Sequence, residues 1–155
     1  MSESVSVTTT IQATGETLWA MVSDVTRMGE WSPENTGAVW LGKADAPEVG
    51  ASFKGTNRLG TKSWSTNGTV TACEPGRAFA FRVTSVGQPV AEWAYRFEDG
   101  TDGCTVTETW TDQRNAIVRL LGKPVSGVDH DGDYSRQNMA ATLAQLKTVA
   151  EAPAD

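Results

Sequence analysis

Five stretches between Ala51 and Gln113 alternate between apolar and polar residues at period two, and that rhythm restricts this chain more than any other feature. They run Ala51 to Leu59, Lys62 to Cys73, Arg77 to Ser85, Val90 to Glu98 and Gly103 to Gln113. The breaks at Gly60-Thr61, Glu74-Pro75-Gly76, Gly87-Gln88-Pro89 and Asp99-Gly100 carry residues that accept a positive φ or fix a tight turn. Strands joined by such short connections pair antiparallel. Glu3 to Ile11, with Val5, Val7, Thr9 and Ile11 at period two, and Thr36 to Leu41 add two more strands, giving an expected sheet of about seven.

The same periodicity separates two faces. Trp93, Tyr95 and Phe97 share one side of their strand, as do Phe79, Phe81 and Val83, and Trp64, Thr66, Gly68, Val70 and Ala72. In the last strand Val106, Glu108 and Trp110 oppose a row of Thr105, Thr107, Thr109 and Thr111. A sheet with one aromatic and one threonine-rich face has an inside and an outside, so something must cover the aromatic side. The segment from His130 to Ala150 supplies the cover, because Met139, Leu143, Leu146 and Val149 or Ala150 fall on one helical face.

Two shorter helical stretches follow the first strand. Thr14 stands where an N-cap belongs, Leu18, Trp19, Met21 and Val22 recur at helical spacing, and a second turn from Val25 to Trp31 ends at Ser32-Pro33. Near the other end, Asn115 to Leu121 reads as a short apolar helical turn broken by Gly122-Lys123-Pro124. The expectation is one α+β domain over residues 1–155, with 152–155 frayed.

Composition excludes several function classes. A net charge of -6 disfavours nucleic acid and anionic membrane as partners. Cys73 and Cys104 are too few for a disulfide framework and too far apart for a zinc site, which points to buried thiols in a reducing compartment. The amino-terminal residues form no secretory signal and no apolar run reaches membrane-spanning length, so a soluble, cytoplasmic protein is expected. With a single histidine and no nucleophile elbow, cysteine pair or phosphate loop, no cofactor or metal is expected. The acidic run Asp129 to Asp133 around His130 fails the calcium-loop pattern, since the sixth and twelfth positions from Asp129 are Tyr134 and Ala140, and reads instead as a helix start.

Two packings satisfy the face pattern. The rings fill a close-packed core, or the curved sheet and the helix leave a mainly apolar pocket between them. Six tryptophans in so short a chain favour the pocket, because tryptophan and tyrosine combine large apolar area with a polar handle.

Several segments resemble the SRPBCC superfamily, which includes START lipid-transfer domains, plant pollen-allergen-like proteins and polyketide cyclases. They are Thr14-Gly15-Glu16-Thr17-Leu18-Trp19, Trp31-Ser32-Pro33, Val49-Gly50-Ala51-Ser52-Phe53, Gly55-Thr56-Asn57-Arg58, Glu74-Pro75-Gly76-Arg77, Trp93-Ala94-Tyr95 and Gly103-Cys104-Thr105-Val106-Thr107-Glu108-Thr109-Trp110. The resemblance covers nearly the whole chain and is nearest to the small bacterial polyketide cyclase/dehydrase-like proteins. It implies a helix-grip fold, a seven-stranded antiparallel sheet around a long C-terminal helix with two short helices between strands one and two, and a deep cavity for an apolar molecule. It implies no single activity, because members of the superfamily carry lipids, bind hormones or polyketides, cyclise polyketides, or stimulate a chaperone ATPase.

Candidate ligand-binding residues are therefore the inward rings Trp31, Phe53, Trp64, Phe81, Trp93, Tyr95 and Trp110, the polar groups Asn57, Thr66 and Glu108, and Met139 and Leu143 from the helix. Glu108 and Tyr95 are the candidates for acid-base chemistry, since a carboxyl in an apolar pocket has a raised pKa; a structural Glu108 paired with Arg58 or Arg82 is the alternative. The expected function is binding or transport of a lipid-, polyketide- or aromatic-type small molecule by a monomer or homodimer. A cyclase or aromatase and a protein-interaction module are the competing readings, and the threonine rows speak against an apolar outer face for the latter.

Overall fold

A computed structural model describes residues 3–153, with the backbone alone at Gly122 and Lys123, so the expected fraying at 154 and 155 lies outside the described residues. The strands are β1 (Ser4–Ile11), β2 (Asn35–Trp40), β3 (Ser52–Leu59), β4 (Lys62–Glu74), β5 (Ala78–Ser85), β6 (Gln88–Gly100) and β7 (Gly103–Asp112). They form one seven-stranded sheet in the order β1-β7-β6-β5-β4-β3-β2, with every pair antiparallel. Helix α1 (Gly15–Ser23) and a 3-10 helix (Val25–Glu30) link β1 to β2, and α2 (Ala116–Ser126) and α3 (Gly132–Glu151) follow β7. No described helix is long and apolar enough to cross a membrane.

Local chemistry explains the ends of these elements. Thr14 Oγ1 accepts from the Thr17 amide at 3.1 Å and starts α1, while Asp131 Oδ1 accepts from the Tyr134 amide at 2.9 Å and starts α3. The acidic approach to α3 is thus a helix start. The 3-10 helix ends at Glu30 with Trp31 as its cap, and the Ser32 hydroxyl then accepts from the Asn35 amide at 3.1 Å, which turns the chain into β2.

The two faces separate as expected on β6 and β7. Tyr95, Phe97, Val106 and Trp110 are buried, and on the outside Ser4, Ser6 and Thr8 of β1 pair their hydroxyls with Thr111, Thr109 and Thr107 of β7. On β4 a register shift between Val70 and Ala72 reverses the alternation, so Cys73 rather than Ala72 packs against the core. The β5–β6 turn also differs from expectation. It is made at Val86-Gly87, both at positive φ, and Gln88 and Pro89 already belong to β6.

The two C-terminal helices divide the work differently from the sequence reading. Met139, Leu143 and Leu146 form the buried face of α3, but α3 lies mainly against β1 and β7, at one edge of the sheet. Helix α2 does not stop at Gly122-Lys123-Pro124; it continues through Pro124 to Ser126 and crosses the open side of the sheet. Ile117, Leu121 and Val125 repeat at helical spacing along the side that lines the space beneath it, and Pro124 leaves the helix without one backbone donor.

Candidate functional site

Between the sheet, α2 and one side of α3 lies a cavity of about 820 Å³. Phe53, Phe81 and Trp93 wall its sheet side, Trp31 closes it from just after the 3-10 helix, and Ile117, Val118 and Leu121 of α2 roof it. The rings are fixed by one another: Phe53 meets Trp40 and Phe81 edge to face, with centroids 5.8 and 5.3 Å apart. Phe53 can lie inward because Gly68 stands opposite it on β4, where a Cβ would fall 2.2 Å from the ring.

Polar groups enter this apolar space at two places. On the β6–β7 side, Tyr95 and Glu108 are direct cross-strand partners, and the tyrosine hydroxyl donates to Glu108 Oε2 at 2.8 Å. Glu108 is 2% exposed, and its Oε1 has no hydrogen-bond partner among the described residues. Burial pushes the Glu108 carboxyl up to about 8, and the bond from Tyr95 offsets only part of that rise. Tyr95 is pushed well above its usual value by burial and by the neighbouring carboxyl. At neutral pH both groups are therefore uncharged. Neither Arg58 nor Arg82 reaches Glu108, so the salt-bridged alternative does not hold.

On the opposite side, Asn35, Asn57 and Thr66 form a line across β2, β3 and β4. Asn35 Nδ2 donates to Asn57 Oδ1 at 3.5 Å and Asn57 Nδ2 donates to Thr66 Oγ1 at 3.3 Å, which leaves Asn35 Oδ1 without a partner among the described residues although Asn35 is only 8% exposed. Beside them Glu34 gathers three groups: His130 Nε2 lies 3.1 Å from Oε2, the Tyr134 hydroxyl donates to the same oxygen, and Asn138 also hydrogen-bonds the carboxylate. Burial pushes Glu34 upward, but these bonds outweigh it and hold the carboxylate below its usual value. The His130 ring in turn meets Trp64 edge to face at 5.9 Å.

Arg114 also reaches the cavity wall, with its charge already matched. Its guanidinium donates to both oxygens of buried Asp112, at 3.0 and 3.1 Å, and to Asp129 at 3.4 Å. Arg119 of α2 reaches the same Asp112 at 2.7 Å, so one carboxylate ties the roof helix to the end of β7.

Of the expected ligand-binding residues, Trp31, Phe53, Asn57, Trp64, Thr66, Phe81, Trp93, Tyr95 and Glu108 line the cavity together. Trp110, Met139 and Leu143 do not. Trp110 and Met139 pack with Val5 and Ala91 in a separate cluster, and Leu143 lies in the main core, because α3 sits over β1 rather than over the middle of the sheet. From α3 the cavity receives Asn138 and Thr142 instead. Sequence reasoning missed the roof residues of α2 and the Glu34, Asn35, His130 and Tyr134 group.

An antiparallel sheet gripping a terminal helix, with a cavity of this size between them, defines a helix-grip protein. The chain belongs to the polyketide cyclase / dehydrase and lipid transport family, whose sequence model matches residues 2–151. It is similar to the polyketide-cyclase-like protein Cgl2372 of Corynebacterium glutamicum, at 29% identity over 97% of this chain and 93% of that one, with a TM-score of 0.60. The di-domain ARO/CYC protein StfQ of the steffimycin biosynthetic pathway shares the fold at 14% identity and a TM-score of 0.74, over 97% of this chain and 52% of StfQ. The major latex-like protein 151 of Panax ginseng shares it at 10% identity and a TM-score of 0.72, over 98% of this chain and 99% of that one. No curated protein matches the sequence.

Proposed function

We propose that this protein binds and carries an apolar small molecule, of polyketide, lipid or aromatic type, in the cavity between sheet, α2 and α3. The observation that carries this reading is a cavity of about 820 Å³ walled by Trp31, Phe53, Phe81 and Trp93 and provided with a few buried polar groups. Ligand sites commonly have ~300–1,000 Å³ and this mixture of walls and anchors. Family membership and the likeness to ARO/CYC proteins support it. Native mass spectrometry of the purified protein before and after organic extraction tests the reading. A co-purifying small molecule, or a thermal shift with apolar compounds, is the expected result; an empty protein unaffected by a diverse apolar library would contradict it.

A second reading, an enzyme of the cyclase or aromatase class, draws on Glu108. A neutral carboxyl of pKa about 8, oriented by Tyr95 on a cavity wall, can give a proton to a ligand carbonyl or, once ionised, take one from an adjacent carbon. Turnover of a poly-ketone substrate that survives Glu108→Gln unchanged would remove this reading.

A further inference from the structure

The one histidine of the chain stands on the cavity rim between a carboxylate and a serine, and Glu34, Ser126 and His130 all line the cavity. His130 Nε2 lies 3.1 Å from Glu34 Oε2 and 3.2 Å from Oε1, while Nδ1, on the other side of the ring, lies 3.5 Å from Ser126 Oγ. Hydrogen bonds from His130, Tyr134 and Asn138 hold the Glu34 carboxyl below its usual value, so it is ionised at neutral pH. An ionised carboxylate only accepts. The neutral ring therefore carries its proton on Nε2 and turns an unprotonated Nδ1 toward the serine. Edge-to-face contacts with Trp64 and Tyr134, at 5.9 and 4.8 Å between centroids, brace the ring in that orientation. Ser126 is 4% exposed and ends α2, and its hydroxyl also has the Val128 carbonyl within reach at 3.0 Å.

We propose that Ser126, His130 and Glu34 act as nucleophile, base and orienting carboxylate in the hydrolysis of carboxylic esters with an apolar acyl group, an activity beyond ligand carriage. The acyl group lies in the cavity against Leu121 and Val125, which belong to the same helix as Ser126 and line the same space. Ser126 Oγ bonds to the acyl carbon while its proton passes to His130 Nδ1. The bond from that carbon to the alcohol oxygen breaks, and the departing oxygen takes the proton from Nδ1. Water then adds to the acyl carbon and gives a proton to Nδ1; the serine oxygen leaves, recovers that proton and releases the acid. Glu34 is a positioning residue, since it fixes the tautomer and faces the positive charge that the ring acquires in each step. The distance from serine to histidine is at the long end for a hydrogen bond, as such pairs often are before substrate binds. Turning the serine hydrogen from the Val128 carbonyl to Nδ1 takes only a rotation about Cβ–Oγ.

Two measurements on the unaltered protein test this without requiring any variant to fold. Hydrolysis of p-nitrophenyl butyrate should be catalysed and should saturate with substrate. Diisopropyl fluorophosphate, which phosphorylates activated serines, should stop that hydrolysis and add one diisopropylphosphoryl group to the peptide holding Ser126, read by mass spectrometry. Among variants, Ser126→Ala should lose the labelling and fall to the uncatalysed rate, and His130→Gln should lower kcat by about a hundredfold, as removal of a general base does. Glu34→Gln should lower kcat by about tenfold or more with KM unchanged, and Glu34→Asp should recover part of the loss, which a merely structural carboxylate would not do. Labelling at another residue, hydrolysis unchanged in Ser126→Ala, or no saturable hydrolysis by the unaltered protein would overturn the proposal. Saturable binding of the neutral dye Nile red beside any of those results would leave the ligand cavity standing. Labelled Ser126 with no binding of Nile red would contradict the carrier reading and support this one.

Discussion

Tyr95 and Glu108 face each other directly across the β6–β7 ladder, and among the described residues the one bond made by the buried carboxyl is that accepted from the tyrosine hydroxyl at 2.8 Å. Burial at this point of the ladder, against the opposing effect of the tyrosine bond, makes the cavity wall hold a neutral acid. The carboxyl is protonated in the folded chain up to about pH 8, against about 4.5 in the unfolded chain. Between those values folding takes up a proton. The stability tied to Glu108 is therefore fully present below about pH 4.5 and is lost as the pH rises toward 8. Glu108→Gln removes that dependence. Urea unfolding at pH 5, 6.5 and 8 should show the variant gaining on the parent by on the order of a few kcal/mol across the range. A difference independent of pH would mean that Glu108 ionises normally in the folded protein.

Gly68 gives Phe53 its place on the wall. A methyl group there would fall 2.2 Å from the ring, so Gly68→Ala forces Phe53 out of its contact with Phe81. The expected cost is ~1–3 kcal/mol for an overpacked core, with a clear loss of ligand affinity, read by thermal unfolding and by dye titration. Unchanged stability and binding would show that Phe53 has another resting place.

Asp112 joins Arg114 and Arg119 at the foot of the roof helix. Burial pushes its carboxyl upward, but the bonds from Arg114 outweigh this and hold it below the usual range. Asp112→Asn leaves the largely buried Arg114 paired only with the exposed Asp129, for an expected loss of ~3–5 kcal/mol in chemical unfolding. For the parent, this contribution is present above pH 3.8 and declines as the pH falls through the depressed folded value.

The roof is the opposite case. Ile117 and Leu121 line the cavity yet are 68% and 60% exposed, so they have little packing to lose. Ile117→Ser with Leu121→Ser should change stability by no more than ~0.5 kcal/mol per site while weakening apolar ligands several-fold. A large fall in melting temperature would assign α2 to the folding core instead.

Much of this arrangement is legible in the sequence because period two is a local signal. The alternation that puts Trp93, Tyr95 and Phe97 on one face also puts Glu108 between Val106 and Trp110 on the same inner side, and the structure places Tyr95 and Glu108 together. The signal ends where geometry stops being periodic. The register shift before Ala72 turns Cys73 inward without any mark in composition. Gly122-Lys123-Pro124 carries the chemistry of a helix stop, yet α2 runs through it to Ser126. The face of α3 is correct in sequence, yet its partner is not: which strand a helix covers depends on the curl of the whole sheet, so Met139 and Trp110 pack together away from the cavity. Glu34 and His130 stand 96 residues apart and meet only because β2 and the start of α3 converge at one rim of the cavity. No spacing rule reaches that far.

The central claim is that the space under α2 is a ligand site. Val83 faces it from β5 at the margin of the main core, and Val83→Trp is expected to fill part of it. Nile red titrated into the parent protein should show saturable, one-to-one fluorescence enhancement, and Val83→Trp should abolish it while leaving the fold intact by circular dichroism. No saturable enhancement in the parent, or equal binding by the filled variant, would contradict the claim.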